Sequence, residues 1–133
     1  EEIKIRIGSA FPDNEFDSQS MDVRGLHLLS GLPRSINLQA GDLREAMSEP
    51  LNKIVEAIKR VLERTPPELA ADIVERGIML TGGGSLLGNL DKVLRRSTSL
   101  PVSIAEDPLL CVVMGTGKAL EEKSRLSDIF ASD

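Results

Sequence analysis

The apolar triplet Ile78-Met79-Leu80 runs without a polar break into Thr81-Gly82-Gly83-Gly84-Ser85, and apolar residues resume at Leu86 and Leu87. The triplet is too short for a helix and suits a buried strand, while three successive glycines punctuate whatever precedes them. Leu86, Leu87, Leu90, Val93 and Leu94 then fall on one face of a helix. A strand, a glycine turn and a helix in that order bring bare backbone and unpaired N–H groups to an anion. The missing Cβ atoms allow close approach, and a helix start adds about half a unit of positive charge. A nucleotide phosphate suits such a turn, although a plain tight turn has the same composition. The dinucleotide fingerprint is absent, because its third glycine would fall on Leu87. Nor is Met114-Gly115-Thr116-Gly117-Lys118 a P-loop, since Val112 and Ala119 stand where Gly and Ser or Thr are needed.

Around this turn the periodicities predict an ordered series of elements. Residues 1–7 read as a helix stopped by Gly8, and 9–20, with Pro12, Asp13, Asn14 and Ser18, as a loop. Met21 to Leu26 and Leu32 to Leu38 suit an antiparallel hairpin about Ser30-Gly31, with Pro33 confined to an edge or a strand start. A short helix from Asp42 to Met47 is expected to end before a new cap at Ser48-Glu49-Pro50. Leu51, Ile54, Val55, Ile58, Val61 and Leu62 then mark an amphipathic helix. Thr65-Pro66-Pro67-Glu68 has the form of a capping box for a helix from Pro66 to about Glu75, closed by Gly77. Pro101 to Ile104 reads as a second strand. Asp107-Pro108 caps a last helical region broken at Gly115 and Gly117, and a polar tail begins at Ser124. The class is α/β, with α+β character in the N-terminal third.

Composition removes several functions. With one Cys and one His among 133 residues, neither a disulfide framework nor a Cys/His zinc site is available. A net charge of -5 and 2% aromatics argue against nucleic acid as a partner. No apolar run reaches the ~20 residues of a membrane span. Glu1 and Lys4 lie three apart on one helical face, the spacing of a surface ion pair or of two contacts to one ligand. His27 has no suggestive Asp or Ser spacing and reads as a solvated hairpin residue. Cys111, between Leu109-Leu110 and Val112-Val113, reads as a buried inert thiol, and Glu121-Glu122 as solvated acids. No acid/base constellation and no catalytic residue emerges.

The segment Pro66-Pro67-Glu68-Leu69-Ala70-Ala71-Asp72-Ile73-Val74-Glu75-Arg76-Gly77-Ile78-Met79-Leu80-Thr81-Gly82-Gly83-Gly84-Ser85-Leu86-Leu87 closely resembles MreB, the family of bacterial actin homologues. Glu2-Ile3-Lys4, Ile7-Gly8-Ser9-Ala10, Val23-Arg24-Gly25, Gly31-Leu32-Pro33, Glu49-Pro50-Leu51 and Ala105-Glu106-Asp107-Pro108 agree in the same order. The glycine turn alone would not separate this family from the division actin FtsA, Hsp70 or sugar kinases; the Pro-Pro-Glu-Leu and Gly-Leu-Pro segments do.

The resemblance implies an actin-like ATPase fold, with residues 1–48 as subdomain IIB and 49–133 as the C-terminal part of subdomain IIA. It implies a fragment of an ATP-binding filament subunit that maintains rod shape and directs cell-wall synthesis, located in the cytoplasm at the inner face of the membrane through its full-length parent. Glu1 and Lys4 match residues beside adenine and ribose, and Gly82, Gly83, Gly84 and Ser85 the loop along the nucleotide. ATP or ADP with Mg²⁺ is expected in the full-length parent, a slow ATPase, and weak or no nucleotide in an inactive fragment. The implied partners are further copies of the subunit, contacted through the hairpin tip with Leu29, Leu32 and Pro33, and the membrane-anchored shape protein RodZ. The membrane-inserting segment of the family is expected upstream of Glu1. Two rival readings are a module that chiefly docks RodZ and half of an ATP-dependent sugar kinase. With only two strands for subdomain IIA, self-association through an open sheet edge, or reduced stability, is also expected.

Overall fold

The computed structural model describes residues 2–122. Helix α1 (Glu2–Ile7) is followed by a one-turn helix α2 (Asn14–Asp17) inside the expected loop. Its signal was Asp13, whose carboxylate accepts from the Glu15 amide at 3.0 Å. Strands β1 (Ser20–Leu26) and β2 (Pro33–Gln39) form the expected antiparallel hairpin, with Met21 opposite Leu38 and Val23 opposite Ile36. Pro33 opens β2 at the turn end of the ladder, where a missing N–H costs least.

Helix α3 (Ala40–Arg64) runs unbroken for 25 residues through the expected stop at Ser48-Glu49-Pro50. Pro50 removes one N–H from the ladder, yet Pro50 and Ala46, four residues earlier, are both exposed, so water can serve the orphaned carbonyl. The division expected between 48 and 49 therefore falls inside a helix. Thr65 also departs from expectation: its hydroxyl donates to the Val61 carbonyl at 2.8 Å and closes α3. It lies one position ahead of the residue that precedes helix α4 (Pro67–Arg76), too far back to cap its amides.

Strands β3 (Ile78–Leu80) and β4 (Val102–Ile104) pair in parallel, Met79 opposite Ser103. β3 is only partly covered, with Met79 exposed, because a two-stranded sheet offers packing to few faces. Helix α5 (Leu90–Thr98) starts later than expected, after a separate 3-10 turn over Gly83–Leu86. Helix α6 (Cys111–Glu121) passes through Gly115 and Gly117 without a break. Neither glycine is needed for space or turn geometry, so each only lowers the helix's intrinsic preference, by ~1 kcal/mol relative to Ala. Cys111 is half-buried rather than buried, its Sγ donating to the Asp107 carbonyl at 3.1 Å. The polar tail expected from Ser124 lies outside the described residues.

The core gathers Ala10, Leu51 of α3, Leu90 and Leu94 of α5, and Val102 of β4. Met47, Val55 and Ile58 pack on it from α3, and Ile78 and Leu80 from β3. The amphipathic stripe of α3 thus meets α5 and the small parallel sheet, the burial that an apolar helical face requires.

Candidate functional site

A cavity of about 720 Å³ opens between α1, α3 and the glycine turn. Lys4 and Ile5 line it from α1, Met47, Leu51 and Ile54 from α3, and Gly83 and Gly84 from the turn. Leu86, Leu87, Leu90 and Leu109 complete walls that are mostly apolar. The geometry suits a flat apolar ring system that carries polar edges, met by one lysine and by backbone.

The turn owes its form to three residues. Gly82 has φ 79 and ψ 170, a region open in practice only to glycine, and its amide donates to the Pro108 carbonyl at 2.6 Å. Ser85 is buried, with its hydroxyl donating to the Gly82 carbonyl at 2.7 Å, so the side chain holds the turn shut and does not line the cavity. Gly83 and Gly84 begin the 3-10 turn, where the first N–H groups have no partner within the turn. A Cβ on Gly84 would meet nothing within 4 Å, and one on Gly83 only Leu109 Cδ2 at 3.4 Å. Bare backbone therefore faces the cavity at both positions. Helix α5 begins six residues after Gly84, at Leu90, which lines the same cavity.

Of the residues expected to meet a nucleotide, Lys4, Gly83 and Gly84 share the cavity wall, while Gly82 and Ser85 support the turn from behind. Glu1 lies outside the described residues. Leu29, Leu32 and Pro33 do not line this cavity; they lie at the hairpin tip, where Leu29 is 94% and Leu32 65% exposed. The tip is closed by His27, whose amide donates to the Leu32 carbonyl and whose Nδ1 lies 2.8 Å from Ser30 Oγ. His27 is half-buried there, tied to the turn rather than fully solvated.

Sequence reasoning missed the joint that ties the two sides of the cavity together. Ser9 and Gly88 form a parallel bridge, and the Ala10 amide donates to the Gly88 carbonyl at 2.7 Å. Asn89 Nδ2 donates to Ser9 Oγ at 2.9 Å, and that hydroxyl donates to the Phe11 carbonyl at 2.8 Å. Lys92 pairs with Asp13 at 2.8 Å, Arg96 lies over the Phe11 ring, and Arg44 pairs with Asp17. The available signal was the run of small residues Gly8-Ser9-Ala10 and the Gly88-Asn89 pair, which permit close backbone approach.

Among the described residues no group of three or more His, Cys, Asp or Glu could hold a metal ion, and no helix is long and apolar enough to cross a membrane. The profile of the MreB/Mbl protein family matches residues 1–128. Cell shape-determining protein MreB of Escherichia coli is 53% identical over 121 residues, covering 91% of this chain and 34% of that protein. Cell shape-determining protein Mbl of Bacillus subtilis is 46% identical over 126 residues, 95% of this chain and 37% of that protein. The chain thus spans about one third of the length of these relatives. Among solved structures, MreB 5 of Spiroplasma citri bound to AMPPNP superposes with a TM-score of 0.83 at 36% identity, over 96% of this chain and 37% of that one. The same protein bound to ADP gives 0.84 at 35% identity, over 98% and 39%. Mixed helix and strand content, the actin-like fold and the match along nearly the whole sequence agree: this chain belongs to the MreB/Mbl family.

Proposed function

We propose that this chain is part of an ATP-binding, actin-like filament subunit that maintains rod cell shape, and that it supplies the nucleoside-facing wall of the nucleotide cleft. The observation that carries the reading is that Lys4, Gly83 and Gly84 line one cavity together with α3. Its apolar walls suit an adenine ring, and Lys4 with the bare amides suits polar edges or a phosphate oxygen. Similarity to a protein known bound to AMPPNP and to ADP supports the same ligand class. Hydrolysis is assigned in this reading to the full-length parent, with weak or no nucleotide binding expected of residues 1–133 alone.

The hairpin tip, with Leu29, Leu32 and Pro33, is the proposed contact to the next subunit, because its leucines are left largely exposed. Residues 1–48 and 49–133 correspond to subdomains IIB and IIA in this reading, with α3 as a strut shared by both. RodZ docking on 49–133 and a cytoplasmic site at the inner face of the membrane follow from the family resemblance. No single described residue stands out for either.

Titration of the full-length protein with ATP and Mg²⁺ tests the reading. Wild type is expected to bind, and Gly84→Val to bind at least about tenfold more weakly. Its side chain enters ligand space without striking protein atoms. Equal affinity of the two proteins would remove the glycine turn from the site.

A further inference from the structure

We infer that the joint of Ser9 with Gly88 and Asn89 sets the width of the nucleotide cavity, so that Ser9 and Asn89 are positioning residues for the nucleoside; the inference rests on the nucleotide reading above. One hydrogen bond connects the joint to each wall. The Gly8 amide donates to the Lys4 carbonyl at 2.9 Å, fixing the turn of α1 that bears Lys4. The Leu87 amide donates to the Gly84 carbonyl at 3.2 Å, fixing the glycine turn on the other side. Between these two anchors stand the Ser9–Gly88 bridge, the Ala10-to-Gly88 bond and the bond from Asn89 to Ser9.

The joint is built for close approach. A Cβ on Gly88 would lie 2.9 Å from both the Gly8 carbonyl oxygen and a Phe16 ring carbon, so any side chain there would force the two segments apart. Asn89 adopts a left-handed backbone at φ 57, which Asn tolerates better than most residues and which directs its amide toward Ser9. Ser9 is fully buried, and its hydroxyl is used twice, accepting from Asn89 and donating to Phe11. A nucleoside that touches Lys4 and the Gly83–Gly84 backbone together does so at one wall separation. Loosening the joint therefore costs affinity without removing a ligand contact. The Lys92–Asp13 pair also links these segments, but it is partly exposed and screened, and it supplies a control.

The test uses calorimetric titration of the full-length protein with ATP and Mg²⁺, alongside thermal unfolding without nucleotide. Asn89→Gly keeps the left-handed backbone and deletes the donor; Ser9→Ala deletes the acceptor. Asn89→Gly is expected to weaken ATP binding about fivefold, the loss of one buried hydrogen bond expressed in affinity, and Ser9→Ala, which also loses the bond to the Phe11 carbonyl, by at least as much. The double variant should be no weaker than Ser9→Ala alone, because Ser9→Ala already removes the bond that Asn89→Gly removes. Asn89→Asp, equal in shape but with an acceptor in place of the donor, should lose as much. Lys92→Ala should stay within about twofold of wild type in affinity. Unchanged affinity in Asn89→Gly, with a lowered melting temperature or without one, would overturn the positioning role while wild-type binding left the nucleotide reading standing. Independent, additive losses in the double variant would also overturn it. A wild type that fails to bind ATP would remove the nucleotide reading and this inference with it.

Discussion

The β1–β2 hairpin and the joint at Ser9–Gly88 are both small backbone pairings, and they are stabilised in opposite ways. The hairpin pairs seven residues on each strand, buries none of them fully and leaves Leu28 98% exposed at its tip. The joint has one bridge, yet Ile7, Ser9 and Ala10 are buried around it. Closing a short turn costs little chain entropy, so a local ladder and polar pairs such as Asn37 with Asp22, at 2.8 Å, can suffice. Joining residues about 80 positions apart costs more, and close packing of small residues with buried hydrogen bonds offsets it. The lesson is that the leucines at the hairpin tip contribute little to their own fold, whereas the joint's small residues hold distant segments together.

The largest expected effect would sharpen this contrast. Leu94→Ala empties a fully buried position in the core beside the joint and should destabilise the chain by about 3 kcal/mol in urea unfolding. A value under about 1 kcal/mol would show that α5 is not packed as described. Gly77→Ala comes next: φ 78 with ψ -163 excludes other residues, and a Cβ would strike the Pro101 carbonyl between β3 and β4. A loss of about 2 kcal/mol or more is expected by the same assay.

The hairpin supplies the opposite case. Leu32→Glu should change monomer stability by no more than about 0.5 kcal/mol, because the side chain is exposed, while pelleting of the full-length protein with ATP falls. Normal pelleting would break the comparison by leaving the exposed leucines without a role. The smallest effect is a pH dependence at the joint's edge. Asp13 is held below its ordinary value of 3.8, chiefly by the hydrogen bond from Lys92 and then by the Glu15 amide. A lowered folded value means the contribution is present above 3.8 and lost as pH falls through that lower value. Acid titration of Asp13→Asn should show a slightly shallower loss of stability below that point, and an unchanged curve would show that the pair contributes nothing.

The same contrast explains what could be read from the sequence. The hairpin was legible because alternation and a Ser-Gly turn are local, and β3 with its glycine turn was legible because three glycines after an apolar triplet allow few alternatives. Helix α3 was misread as two helices, since Pro50 carries a strong stop signal that an exposed helical face can tolerate. The start of α5 was misread because Leu86 and Leu87 fit its helical face in periodicity while Asn89 turns the chain left-handed before it. Lys4 was singled out by its spacing from Glu1 and the glycine turn by its composition, and the family resemblance then related both to a nucleotide. Ser9, Gly88 and Asn89 were not singled out, because their relation exists only after the chain has folded across 80 residues.

In the proposed reading α1 and the glycine turn flank one nucleoside. Photo-crosslinking of the full-length protein with 8-azido-ATP, read by peptide mass spectrometry, tests it most directly. Label is expected on the α1 peptide around Lys4 or on the segment from Gly83 to Leu90, abolished by excess ATP and reduced in Gly84→Val. ATP-competed label confined to the hairpin or to α4, with both cavity segments unmodified, would contradict it.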